Sequence, residues 1–144
     1  MCWLLYVAAD RPLPHRPFSP ESPAFNVADL DGREVAVRAQ FGKAFVYALG
    51  AHTGCGCGFD RGQANPLHPA ELQATERSLD ALHDFLRDAM EAAGPLELYA
   101  CWDGDQAATP DQRWQRRLDD FHRQMAWFPD RTFIEIGSGA EEAR

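Results

Sequence analysis

Long apolar runs separated by short polar breaks divide this chain into elements. The first run, Cys2 to Ala9, is rich in aromatic, branched and small apolar side chains and stops at Asp10-Arg11-Pro12, which predicts a buried strand. Between Arg11 and Pro23, prolines at 12, 14, 17, 20 and 23 fix φ, remove N–H donors and hold their predecessors extended, so this segment reads as a surface strap. Phe25 to Leu30 alternates apolar with small or polar residues, Asp31-Gly32 is a strong turn dipeptide, and Glu34 to Arg38 alternates again. A hairpin accounts for this stretch, and so does a turn into a short helix through Gln40-Phe41. Ala44 to Leu49 is apolar on both faces, the pattern of a central strand covered on each side.

From His68 to Ala93, Leu72, Leu79, Leu82, Leu86, Ala89, Met90 and Ala93 recur at helical spacing, Pro69 suits the first helical position, and Gly94-Pro95 closes the helix. Leu96 to Trp102 reads as a strand broken by Asp103-Gly104-Asp105. Thr109-Pro110-Asp111-Gln112 has the form of a capping box with proline at the first helical position, so a second helix is expected there. Trp114, Leu118, Phe121 and Met125 form its apolar stripe, and it should end before Pro129. Arg131 to Ile136 is a last strand. Residues 1–136 read as one globular domain and 137–144 as a disordered polar tail.

The order strand, helix, strand, helix, strand from Ala44 onward describes two crossover units with parallel strands. The expected fold is therefore a single-domain layered α+β or α/β structure, a mixed sheet of about five strands with two main helices. In such sheets ligands bind beyond the carboxyl ends of the strands. That rim would carry His52, Cys55 and Cys57, then Cys101, Trp102, Asp103 and Asp105, then Gly137-Ser138-Gly139. Cys2 joins it only if the first strand runs antiparallel to the others.

Composition narrows the function. The 144 residues carry a formal net charge of −8, which repels phosphate backbones and anionic lipid, so a nucleic-acid partner is not expected. The apolar run Trp3 to Ala9 is far short of the roughly 20 residues a spanning helix needs, and it lacks the flanks of a signal peptide. The expectation is a cytoplasmic protein without a membrane span, whose four cysteines, Cys2, Cys55, Cys57 and Cys101, are reduced thiols.

The chemistry concentrates in Gly50 to Phe59, where two cysteines interleave with glycines. Cys55-x-Cys57 sets two thiolates close together, His52 adds an imidazole, and Cys101 or Cys2 completes a tetrahedral set for zinc or another thiophilic ion. The leading expectation is a metal site of Cys55, Cys57, His52 and Cys101. Against it, structural zinc sites use pairs spaced C-x(2–4)-C, and here there is one C-x-C. The runner-up is thiol redox or nucleophilic catalysis by Cys55 or Cys57 with His52 as base. No helix follows Cys57 at once, so the thioredoxin pattern is not matched, and the Gly-Lys-Ser/Thr of a P-loop is missing. Removal of Met1 would expose Cys2 as an N-terminal nucleophile, and the opening Met1-Cys2 strand with Ala8-Ala9-Asp10 faintly resembles the start of some N-terminal nucleophile hydrolases. A third reading is an interaction protein with inert cysteines, since cysteine commonly serves as a small buried hydrophobe.

The Met1-Cys2 start with its apolar strand and Pro12-Leu13-Pro14 strap, Phe45 to His52, and the run Gly54-Cys55-Gly56-Cys57-Gly58-Phe59 together resemble a family of small bacterial proteins of uncharacterised activity. The resemblance covers the first sixty residues best and implies no activity, cofactor or partner.

Overall fold

The structure, a computed structural model of the chain, describes residues 2–21, 24–60, 67–120 and 130–137. Six strands form one mixed sheet: β1 (Trp3–Ala9), β2 (Phe25–Asp29), β3 (Phe45–Ala51), β4 (Leu96–Trp102), β5 (Gln112–Arg117) and β6 (Thr132–Gly137), in the spatial order β2-β3-β1-β4-β6-β5. One long helix, α1 (Pro69–Ala93), packs on one face, which gives an α+β fold. Short 3-10 helices follow β2, over Val35–Gln40, and β3, over Gly56–Phe59.

β1 takes the interior position that its apolar run dictates: it is antiparallel to both β3 and β4, with Leu5 opposite Leu49 and Ala100. Strand alternation then sorts the side chains by face. Trp3, Leu5, Val7 and Ala9 join Leu49, Leu98, Ala100 and the α1 residues Leu79, Leu82, Phe85 and Leu86 in the larger core. Tyr6 and Ala8 join Val37, Val46, Tyr99, Cys101 and Phe133 in a smaller core beneath the first 3-10 helix. Of the two accounts of residues 25–41, the turn into a short helix is the one adopted.

The strap lies along this frame. Arg16 and Val27 exchange two backbone hydrogen bonds of 3.0 and 2.9 Å, and the buried Leu13 donates its N–H to the Tyr47 hydroxyl at 2.9 Å.

Two expectations are corrected. The first is the second helix: Gln112–Arg117 is an edge strand parallel to β6, helical geometry begins only at Leu118, and residues 121–129 of that expectation lie outside the described residues. The Thr109 capping box does not form, and side chains hold the preceding turn by its carbonyls. Tyr99 Oη donates to the Asp105 and Ala108 carbonyls, and Gln40 Nε2 to those of Gln106 and Ala108. Trp114 packs on the α1 side of the sheet while the Arg113 guanidinium lies 4.8 Å from the Phe133 ring centroid on the other face. Only Trp114 of the expected apolar stripe falls within Gln112–Arg117, so the spacing of the stripe carried no information about these six residues.

The second correction follows. With a strand where the helix was expected, β6 returns antiparallel to β4, so Gly137 stands at the opposite edge from Cys101 and Trp102. Of the expected tail 137–144, Gly137 instead ends β6, paired with Arg117, and residues 138–144 lie outside the described residues. The β3-α1-β4 crossover does form: β3 and β4 are parallel to each other because each is antiparallel to the β1 between them.

Candidate metal centre

Antiparallel pairing brings the start of β1 to the same sheet edge as the ends of β3 and β4. The ladder closes with Trp3 opposite Trp102, and one step further the Asp103 N–H donates to the Cys2 carbonyl at 2.8 Å. Cys2 is thereby fixed at the rim.

Beyond β3 the chain folds back over its own end. Gly54 N–H donates to the Ala51 carbonyl at 2.9 Å, and Ala51 N–H donates to the Cys55 carbonyl at 2.8 Å. Gly54 has φ of 84°, a left-handed conformation in which glycine carries no steric cost. The next two glycines serve close approach. A Cβ on Gly56 would sit 2.8 Å from the Trp3 carbonyl oxygen and 3.2 Å from the Leu5 nitrogen, so the loop backbone lies directly against β1. A Cβ on Gly58 would sit 2.7 Å from Ala51 Cβ and 2.8 Å from the His52 ring. Phe59 then plugs the loop into the larger core, fully buried, with its ring centroid 6.2 Å from that of Phe25.

These constraints deliver three thiols to one place: the sulfurs of Cys2, Cys55 and Cys57 all lie within 4.8 Å of one another, and all three cysteines are free. They are held unequally. Cys57 Sγ accepts the Trp3 N–H at 3.2 Å and lies 3.9 Å from the Trp3 carbonyl oxygen. Cys55 is half-buried, with the Thr53 hydroxyl 3.7 Å from its sulfur, and that same hydroxyl oxygen accepts Gly58 N–H at 3.1 Å. Cys2 is exposed.

The protonation states are equally uneven. Burial would raise the Cys55 thiol, but hydrogen bonds from the Cys57 backbone, Thr53, Cys57 and Cys2 outweigh it and hold Cys55 below the ordinary thiol value. Burial pushes Cys57 up to about 11, reinforced by the neighbouring Cys55 and Cys2 sulfurs and opposed by the Trp3 backbone. Cys2 is raised, first by its hydrogen bond to Cys55 and then by the charge there. Of the three sulfurs, Cys55 is thus the readiest to lose its proton, and a cation placed among them would favour the thiolate form of all three.

The geometry suits a soft cation. Zinc–sulfur bonds of about 2.3 Å separate tetrahedral ligands by about 3.8 Å, so a 4.8 Å triangle closes with a contraction of about 1 Å at most. Three sulfurs leave one coordination position open.

Two residues expected in the ligand set stand elsewhere. Cys101 is fully buried in the smaller core, opposite Leu4 across the sheet, and is not in the thiol group. His52 faces α1: its N–H donates to Ser78 Oγ at 3.1 Å and its Nδ1 lies 3.0 Å from the same atom. Ser78 spends its own hydroxyl proton on the Ala24 carbonyl at 2.7 Å, so Nδ1 carries the imidazole proton and Nε2 keeps a lone pair. Burial lowers the His52 pKa, with Glu71 acting in the opposite sense. The ring borders a cleft of about 180 Å³ with Thr53, Cys57, Asp60 and Glu71.

Asp103 and Asp105 serve the turn. The Asp103 carboxylate accepts Gln106 Nε2 at 3.0 Å and pairs with Arg33 at 3.4 Å, while Asp105 N–H donates to the Trp102 carbonyl. Met1, on which the N-terminal nucleophile reading turns, lies outside the described residues. Among the described residues no helix is long and apolar enough to cross a membrane. Comparison with protein families, curated proteins and solved structures finds no match for the chain.

Proposed function

We propose that this protein binds a thiophilic metal ion, zinc or copper(I), through Cys2, Cys55 and Cys57. The observation that carries the reading is the convergence of three unpaired sulfurs from two distant segments within 4.8 Å. Soft thiolates select such ions over magnesium or calcium, and a reducing cytoplasm would keep the thiols available. His52 lines a cleft together with Cys57 and lies outside the proposed ligand set.

The test is elemental analysis of protein purified without added metal, followed by competitive titration with zinc and copper(I). One equivalent bound by wild type, and a large loss of affinity in Cys57→Ser and Cys55→Ser, supports the reading. A chain that binds neither ion above the level of the triple Cys→Ser variant refutes it.

A second reading, thiol–disulfide exchange, draws on the depressed Cys55 thiol beside the exposed Cys2. It requires Cys55 to be alkylated at lower pH than the other thiols and a Cys2–Cys55 disulfide to form on mild oxidation, which mapping by mass spectrometry reads directly.

A further inference from the structure

The three sulfurs are unequal in a way that a storage or structural site does not need. Cys55 and Cys57 belong to a loop anchored from Gly56 onward: Gly56 lies against the β1 backbone, Gly58 against Ala51 and His52, and Phe59 inside the core. Cys57 is also held by the Trp3 N–H. Cys2 is the exposed member of the three, at the end of the β1–β4 ladder. The core is also built without a metal, with Cys57 packed at its edge. Structural zinc sites are closed by four ligands, and their small domains unfold without metal. Here α1 and the sheet bury their own apolar core, and the sulfurs sit at its edge.

We propose that the ion is cargo, and that it enters and leaves by thiolate exchange that begins at Cys2, the incoming thiolate being that of a small thiol. The proposal rests on the metal-binding reading above. With three sulfurs on the ion, the open fourth position accepts the incoming thiolate, and a metal–sulfur bond forms there. The bond to Cys2 then breaks, and Cys2 leaves as a thiolate that takes a proton from water. Cys55 and Cys57 hold the ion through this first exchange and are then replaced in turn by two further external thiolates, each taking up a proton as it leaves; no electron moves, and the oxidation state of the ion is unchanged. Two anchored ligands and one exchangeable ligand let the ion pass between sites without appearing free in solution.

Cadmium(II) is the probe, because it is redox-inert and its thiolate charge-transfer absorbance reports the number of bound sulfurs. Wild type, Cys2→Ser, Cys55→Ser and Cys57→Ser are each loaded with one equivalent, and glutathione is then added. Cys2→Ser is expected to lose one thiolate's share of the absorbance and to recover it when glutathione takes the vacated position in a ternary complex. Cys55→Ser and Cys57→Ser are expected to lose the ion to glutathione. Should Cys57→Ser fail to fold by circular dichroism, Cys55→Ser carries the comparison alone. The proposal is overturned if Cys2→Ser sheds the ion like the loop variants, or if all three variants are rescued alike. If wild type binds no cadmium, the metal-binding reading itself fails, an outcome distinct from either.

Discussion

Cys101 and Cys2 are close neighbours in the sheet and opposite in chemistry. Cys101 lies across from Leu4, and Cys2 lies two residues further along β1, just past the last ladder pair. Cys101 is buried in the smaller core with Tyr6, Tyr99 and Phe133. Burial, and then the carboxylates of Asp130, Asp105, Asp103 and Glu34, push its thiol up to about 12, so it stays protonated and inert. Cys2 has reached solvent and meets two other sulfurs. Nearness to the strand end in sequence is therefore a poor guide to reactivity. A thiol becomes a ligand when other sulfurs can share a cation with it and solvent can reach it.

The strongest test of this contrast removes what holds the loop. Phe59→Ala deletes a fully buried ring and should destabilise the fold by about 3–5 kcal/mol in denaturant titrations, with loss of metal affinity in the folded fraction. Unchanged affinity would show that the loop holds its cysteines without the anchor. Gly56→Ala comes next. Its Cβ must push the loop off the β1 backbone, for about 1–3 kcal/mol, and so draws Cys55 and Cys57 away from Cys2. Gly54→Ala is milder, about 1 kcal/mol from the left-handed backbone alone, and should weaken metal binding less.

Acidity separates the two regions in another way. Cys2 and Cys57 are raised and hold their protons at neutral pH, so metal must displace them. Affinity should thus rise with pH below the Cys57 value of about 11, by about tenfold per pH unit for each proton released. A flat profile between pH 6 and about 8 would contradict the assignment of those two thiols as ligands. The smallest effect belongs to Cys101→Ala: a stability loss of about 1 kcal/mol and metal affinity equal to wild type, by the same titrations. A drop in affinity there would bring Cys101 back into the site.

Much of this architecture could be read from the chain because burial leaves a direct trace in it. The apolar runs of β1, β3 and β4 and the leucine spacing of α1 each show which residues leave water. The exposed edge strand β5 has no such trace. Gln112–Arg117 buries little, its arginines suit a helix surface equally, and its conformation comes from hydrogen bonds to β6. With β5 misread, the direction of β6 and the place of Gly137 followed wrongly.

The candidate site divides along the same line. Sequence by itself determined that Cys55 and Cys57 sit on one glycine-rich loop after a buried strand, because a two-residue separation and the need for close backbone approach are local properties. Which third ligand joins them was decided by tertiary structure alone. Cys2 and Cys101 were both available, and the choice depended on the antiparallel direction of β1 and on the core that closes over Cys101. Both are outcomes of pairing and packing between segments far apart in the chain, and no local pattern of residues encodes them.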